Sequence, residues 1–223
     1  MENKTFLDFK YSLFGDFTKT QDAINDFVLV LGTGYTRNFE NEIVAQNVVK
    51  PVFTFADNYK IIRLSSSRLD YIPKINHDNC LQDFLTFIGQ IKNTLPTITR
   101  LAINSTFFVD KGNVGTHKPV NEELFQGRFS SIKEFFNRTN FESKFKGLFF
   151  NNILSYGPDE VVNRDSFIKL KVILFSIDIN NIPLQSSSDI IGLDSLAEFF
   201  NYMSDNMKAF DAYIERRLFD NGK

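Results

Sequence analysis

Five polar residues sit where they could do chemistry: Arg68, Asp70, Arg100, Asn104 and Asp178. Each falls in a segment that otherwise reads as a strand. Asp178 is the most informative, because it ends the apolar run from Val172 to Ile177 and a buried carboxylate needs partners. Arg63, Arg68 and Arg100 lie on segments that can be neighbours in a sheet. Together these residues describe a polar Arg/Asp/Asn pocket on one sheet. Such a pocket could serve an enzyme, or bind a small ligand, a nucleotide or RNA. The plainer alternative puts Asp178 at a strand end, facing water.

Other constellations carry less. Gly32-Thr33-Gly34 follows an apolar run, but Tyr35-Thr36-Arg37 comes next. A dinucleotide fingerprint needs a third glycine and a following helix, so a turn or bulge is expected. His77, Asp78 and Cys80 are spaced to share a metal, yet His117 is the only other histidine and no second cysteine exists. Zinc needs three or four ligands, so no metal site is expected. A nucleophilic His–Cys pair would need Cys80 activated near a helix N-terminus. Its place beside an apolar stripe favours an inert, buried thiol. Neither Ser65-Ser66-Ser67 nor Ser186-Ser187-Ser188 carries the Gly-x-Ser-x-Gly frame of a serine hydrolase. No cofactor is expected and no catalytic residue is assigned.

The elements that must position these side chains follow from hydrophobic periodicity. Phe6–Phe17 reads as a first strand and Phe27–Leu31 as a compact second one. Thr18–Asn25 between them reads as a turn or one short helix. Val48–Phe55 and a longer strand, Tyr59–Ile72, are joined at Asp57-Asn58, with a bulge at the three serines. Asn79–Leu95 carries apolar residues three and four apart, which predicts a helix capped by Asp78 or Asn79 and stopped by Pro96. Ile98–Val109 is again a strand. Asp110–Lys118 reads as a loop, and Val120–Asn137 as two short helical pieces. Phe141–Leu154 and Ser166–Ile179 read as two long strands, with Gly157-Pro158-Asp159 opening their connection. The second is apolar enough to be central and covered on both faces. Asp194–Phe219 is a long helix whose buried stripe runs from Leu196 to Ile214.

These readings add up to one α+β domain over residues 1–223. Its core is a largely antiparallel multi-stranded sheet packed by amphipathic helices, with a long C-terminal helix. Regular strand–helix alternation of the doubly wound kind is missing. The chain has 223 residues and 43% hydrophobic composition, with 26 Phe, 7 Tyr and no Trp. That much apolar surface is incompatible with disorder. Charge is balanced, 25 Lys+Arg against 27 Asp+Glu, which weighs against nucleic acid as a partner. One cysteine excludes an intrachain disulfide and favours a reducing compartment. The start lacks a signal-type apolar core, and no run is long enough to span a membrane. A cytoplasmic protein is expected.

Three segments resemble an uncharacterised family distributed sporadically among bacteria. They are Ile62–Leu69 followed by a helix, the strand Arg100-Leu101-Ala102-Ile103-Asn104, and Leu174–Ile179 followed by a long terminal helix. Ser105 and Thr106 stand where that family usually has aromatic residues. The resemblance implies an α+β fold and no particular reaction.

Two functional classes remain. The first is a macromolecular interaction protein, a regulator or inhibitor that binds a protein partner or a second copy of itself. Interface cores are rich in aromatic residues, and the Phe pairs at 135–136, 149–150 and 199–200 supply them. Adjacent strand residues face opposite ways, so Phe149 and Phe150 cannot both enter one core unless both faces are covered. Within this class, a phage or mobile-element protein that blocks a bacterial defence system fits the Phe- and Asn-rich composition. The second class is an enzyme or ligand-binding protein that uses the Arg/Asp/Asn pocket.

Overall fold

The computed structural model of the chain describes residues 4–20, 22–24, 26, 36–45, 48–74, 79–110, 137–162, 169–182 and 191–218. Nine strands form one sheet: β1 (Lys4–Gly15), β2 (Thr36–Ala45), β3 (Val48–Ala56), β4 (Lys60–Leu64), β5 (Arg68–Pro73), β6 (Ile98–Asp110), β7 (Asn137–Phe145), β8 (Leu148–Val162) and β9 (Lys169–Asn181). Their spatial order is β2-β3-β4-β5-β1-β6-β9-β8-β7. Every pairing is antiparallel. Among the described residues, two long α-helices accompany the sheet, α1 (Cys80–Ile91) and α2 (Leu196–Leu218). The coarse α+β expectation therefore holds, with an antiparallel sheet and a long final helix. No described helix is long and apolar enough to cross a membrane.

Local chemistry explains the turns. Asp57 Oδ1 accepts the backbone N–H groups of Tyr59 and Lys60, both at 2.7 Å, and Oδ2 takes the Lys60 ammonium at 2.9 Å. An aspartate that ties down the next backbone amides closes a tight turn between β3 and β4. Lys146 and Gly147 both have positive φ, 47° and 86°, the backbone that a two-residue hairpin demands. At the end of β1, a Cβ on Gly15 would lie 2.5 Å from the Thr97 carbonyl oxygen, so the close approach needs glycine.

Several sequence expectations change. Tyr59–Ile72 is a hairpin of β4 and β5 rather than one bulged strand, because Ser65 N donates to the Arg68 carbonyl across the serine turn at 2.8 Å. Phe141–Leu154 is likewise a hairpin, broken at Lys146-Gly147. Gly157-Pro158-Asp159 lies inside β8 and pairs with β9 instead of opening a connection. β2 has no counterpart in the sequence reading; its run Thr36–Ala45 is too polar to signal a strand. Asn79 occupies the N-cap of α1, but its side chain makes no capping bond. Phe27–Leu31, residues 111–136 and the linker at 183–190 lie outside the described residues.

One face of the sheet carries the core. Tyr11 pairs with Tyr71 and Ile103, and Leu13 with Leu69 and Leu101. Ile103 continues to Ile179, and Phe107 to Phe175. All of these are buried. α1 sets Phe84, Phe87, Ile88 and Ile91 into this face, and α2 sets Leu196, Phe199, Phe200, Met203, Met207, Phe210 and Ile214. The Tyr11 ring stacks on Phe84 at 4.7 Å and meets the edge of Phe200 at 5.9 Å. Sheet and both helices therefore touch at one aromatic junction. A second tie fastens α2 to the start of β1. Lys4 Nζ sits 4.4 Å from the centre of the Phe107 ring and 2.7 Å from Asp211 Oδ1. Its side chain is only 3% exposed, so this ammonium depends on the carboxylate.

Burial pushes the Tyr11 hydroxyl well above its usual pKa, and nearby Cys80 and Tyr71 add to the shift. The folded state thus holds this proton more tightly than the unfolded chain. The resulting stability is fully present below the unfolded tyrosine value, near 10, and is lost as pH climbs above it. Urea unfolding followed from about pH 9 to about pH 11 is expected to show a steep loss of stability. The loss should be shallower in Tyr11→Phe; an equal slope in both proteins refutes the assignment.

Candidate functional site

Pairing places all five sequence-predicted residues on the sheet face opposite the helices. Ser12 and Phe14 alternate with Tyr11 and Leu13, which face the core. One row across the sheet reads Arg68, Phe14, Arg100. The next reads Arg63, Asp70, Ser12, Ala102, Asn180. A third reads Lys10, Asn104, Asp178, Ile153.

These residues form two clusters rather than one pocket. Arg100 and Asn104 are four positions apart on β6, roughly 13 Å at ~3.3 Å per residue. In the first cluster Asp70 is 2% exposed. Its Oδ1 accepts the Ser12 hydroxyl at 2.6 Å, and Oδ2 lies 2.9 Å from Arg68 Nε. The guanidinium carbons of Arg68 and Arg100 lie 5.9 and 5.1 Å from the centre of the Phe14 ring. Two cations thus share one aromatic ring. Arg100 Nε is buried and has no hydrogen-bond partner among the described residues.

In the second cluster Asp178 Oδ1 accepts from Asn104 Nδ2 at 2.8 Å and Asn180 Nδ2 at 3.0 Å. Asp178 lies within β9, flanked by the buried Ile177 and Ile179, which corrects the strand-end alternative. Its partners are amides and not arginines. Both carboxylates therefore have internal donors, and Arg100 keeps an unused one.

Of the remaining candidates, Cys80 is buried at the first position of α1. Gly32-Thr33-Gly34, His77, His117 and Ser186-Ser187-Ser188 lie outside the described residues. Among the described residues, no three His, Cys, Asp or Glu side chains come together as a metal site.

A second feature has no counterpart in the sequence reading. Where α2 passes the β7 end of the sheet, it leaves a groove of about 310 Å³ lined by Phe141, Ser143, Asn152, Asn206, Ala209, Phe210 and Tyr213. Asn152 anchors its floor. The side-chain amide of Asn152 donates to the Phe141 carbonyl at 2.9 Å and to Ser143 Oγ at 2.8 Å, and its Oδ1 accepts Asn206 Nδ2 at 2.8 Å. The mouth is aromatic: Phe141 is 52% exposed and Tyr213 44%. The signal for this site was the alternation of Phe141 and Phe145 with Glu142 and Lys144. Only the turn at Lys146-Gly147 makes β7 a separate strand, the last in the sheet among the described residues. Phe149, one residue past that turn's exit, points to the opposite face beside Lys144, while Phe150 is buried in the core.

The two carboxylates differ in what their removal exposes. Asp70→Ala strands a buried hydroxyl and a guanidinium, and is expected to cost about 2 kcal/mol of unfolding free energy. Asp178→Ala removes a part-exposed carboxylate from the part-exposed Asn104 amide and the buried Asn180 amide, and should cost about 1 kcal/mol. Urea titration of both variants checks the order, and the reverse order counts against the burial argument.

Comparison with known proteins adds no relative: no family model, curated protein or solved structure matches this chain.

Proposed function

We propose that this protein is a regulator or inhibitor that works by binding an extended segment of a protein partner along β7. The observation that carries the reading is the aromatic groove beside an edge strand. Among the described residues, β7 lies at the end of the strand order. An edge strand offers a ladder of backbone groups to an incoming strand, and pockets for alternate side chains give specificity. Here one apolar side chain of the partner fills the groove between Phe141, Phe210 and Tyr213. Glu142 and Lys144, on the other face of β7, meet partner charges of both signs.

Selection from a random library of extended peptides tests this. Bound peptides should carry an apolar residue flanked by alternating polar ones. Ala209→Arg fills the groove mouth and should weaken them by at least about tenfold. Arg63→Ala, on the opposite face, should leave them unchanged. Recovery of no peptide by the monomeric chain, or of peptides indifferent to Ala209→Arg, refutes the proposal.

A second reading rests on Arg100. A buried guanidinium nitrogen without a partner among the described residues, next to a second arginine on a shared ring, suits a phosphate or carboxylate ligand. Titration with pyrophosphate or ATP should then show saturable binding that Arg100→Ala weakens by about tenfold. Binding that Arg100→Ala leaves intact removes this reading.

A further inference from the structure

We infer that the β7 edge pairs with the β7 edge of a second copy of this chain, in an antiparallel register centred on Ser143. The inference rests on the docking reading of that edge and names its occupant. The geometry starts at the hairpin. Lys146-Gly147 is a two-residue turn, so the flanking pair Phe145 and Leu148 exchange backbone hydrogen bonds. Bonded and non-bonded pairs then alternate down the ladder. Phe145, Ser143 and Phe141 direct their backbone groups to β8. Lys144, Glu142 and Asn140 direct theirs outward, past the last strand.

A two-fold axis can pair these outward residues only with one another. Centred on Ser143, it places Glu142 of each copy against Lys144 of the other, with both backbone bonds exchanged. Opposite charges face each other twice, on the side away from the helices. On the helix side, Phe141 of each copy, half exposed at the groove mouth, meets Phe145 of the other. Neighbouring registers fail. Moving the axis to Glu142 sets two like carboxylates against each other, and moving it to Phe141 sets Lys144 against Arg138. An axis at Asn140 pairs Glu142 with Arg138 but leaves Lys144 without an opposite charge. The strand is thus self-complementary in one register, as a two-fold interface requires.

Sedimentation equilibrium of the full chain at micromolar concentrations, in low salt, should give a dimer. Glu142→Lys and Lys144→Glu should each weaken dimerisation by at least about tenfold, by opposing like charges. The double exchange, Glu142→Lys with Lys144→Glu, should restore it. Ser143→Cys should cross-link under mild oxidation and Asn140→Cys should not, because only residue 143 then faces its own copy. A monomeric chain, a dimer untouched by either single reversal, or cross-linking at 140 instead of 143 overturns the inference. If the chain is monomeric yet still takes up selected peptides in a manner sensitive to Ala209→Arg, self-pairing fails alone and the docking reading stands. If it neither dimerises nor binds peptide, both fail.

Discussion

Tyr11, Phe84 and Phe200 meet where the sheet, α1 and α2 touch one another. Tyr11 belongs to β1, the middle strand of the nine, and its ring contacts both helices. Phe84 and Phe200 also meet edge to face at 4.8 Å. Aromatic pairs in such arrangements add to plain area burial. The junction decides which face of the sheet is inside. Once Tyr11 points to the helices, alternation sends Ser12 and Phe14 the other way, and register carries that choice across every neighbouring strand.

That single choice separates the two candidate surfaces. On the helix face most alternating positions are apolar and buried, and the buried Asn152 is satisfied by Asn206 among others. On the opposite face the same alternation gathers Arg68, Asp70, Arg100, Asn104 and Asp178. Their common orientation follows from parity. Their separation into two clusters follows from strand rise, because positions four residues apart are too distant for one ligand-sized constellation. Asp70 and Asp178 are each held by one neighbour in their own row, Ser12 and Asn104, and one in an adjacent row, Arg68 and Asn180, which limits their freedom to act on a ligand. Arg100 differs because its neighbour in the row is Phe14, which offers a π-face and no acceptor.

Sheet edges pose a separate problem. A nine-stranded sheet that does not close leaves backbone groups at its ends. Natural sheets blunt such edges with charge, and β7 carries Arg138, Glu142 and Lys144. The same charges that discourage indiscriminate pairing can specify one partner when their signs alternate correctly. The helix face of β7 adds the complementary half, since Phe141 stays half exposed where α2 runs past it.

The sequence by itself determined α1, α2 and the strands β1, β3, β6 and β9. The Leu196-to-Ile214 stripe is the buried face of α2 residue for residue, because a helix buries by a period that local order alone sets. The strand at Ile98–Val109 was legible for the same reason, and so was the shared sheet of the Arg/Asp/Asn residues. What sequence could not supply was where long β segments turn back. Tyr59–Ile72 and Phe141–Leu154 look continuous because turn residues such as serine and Lys-Gly also fit a bulge, and pairing energy across strands chooses between them. Only the tertiary structure decided that Asp178 meets Asn104 rather than arginine, and that β7 is an edge. Both depend on strand order, which is fixed by contacts between residues far apart in the chain.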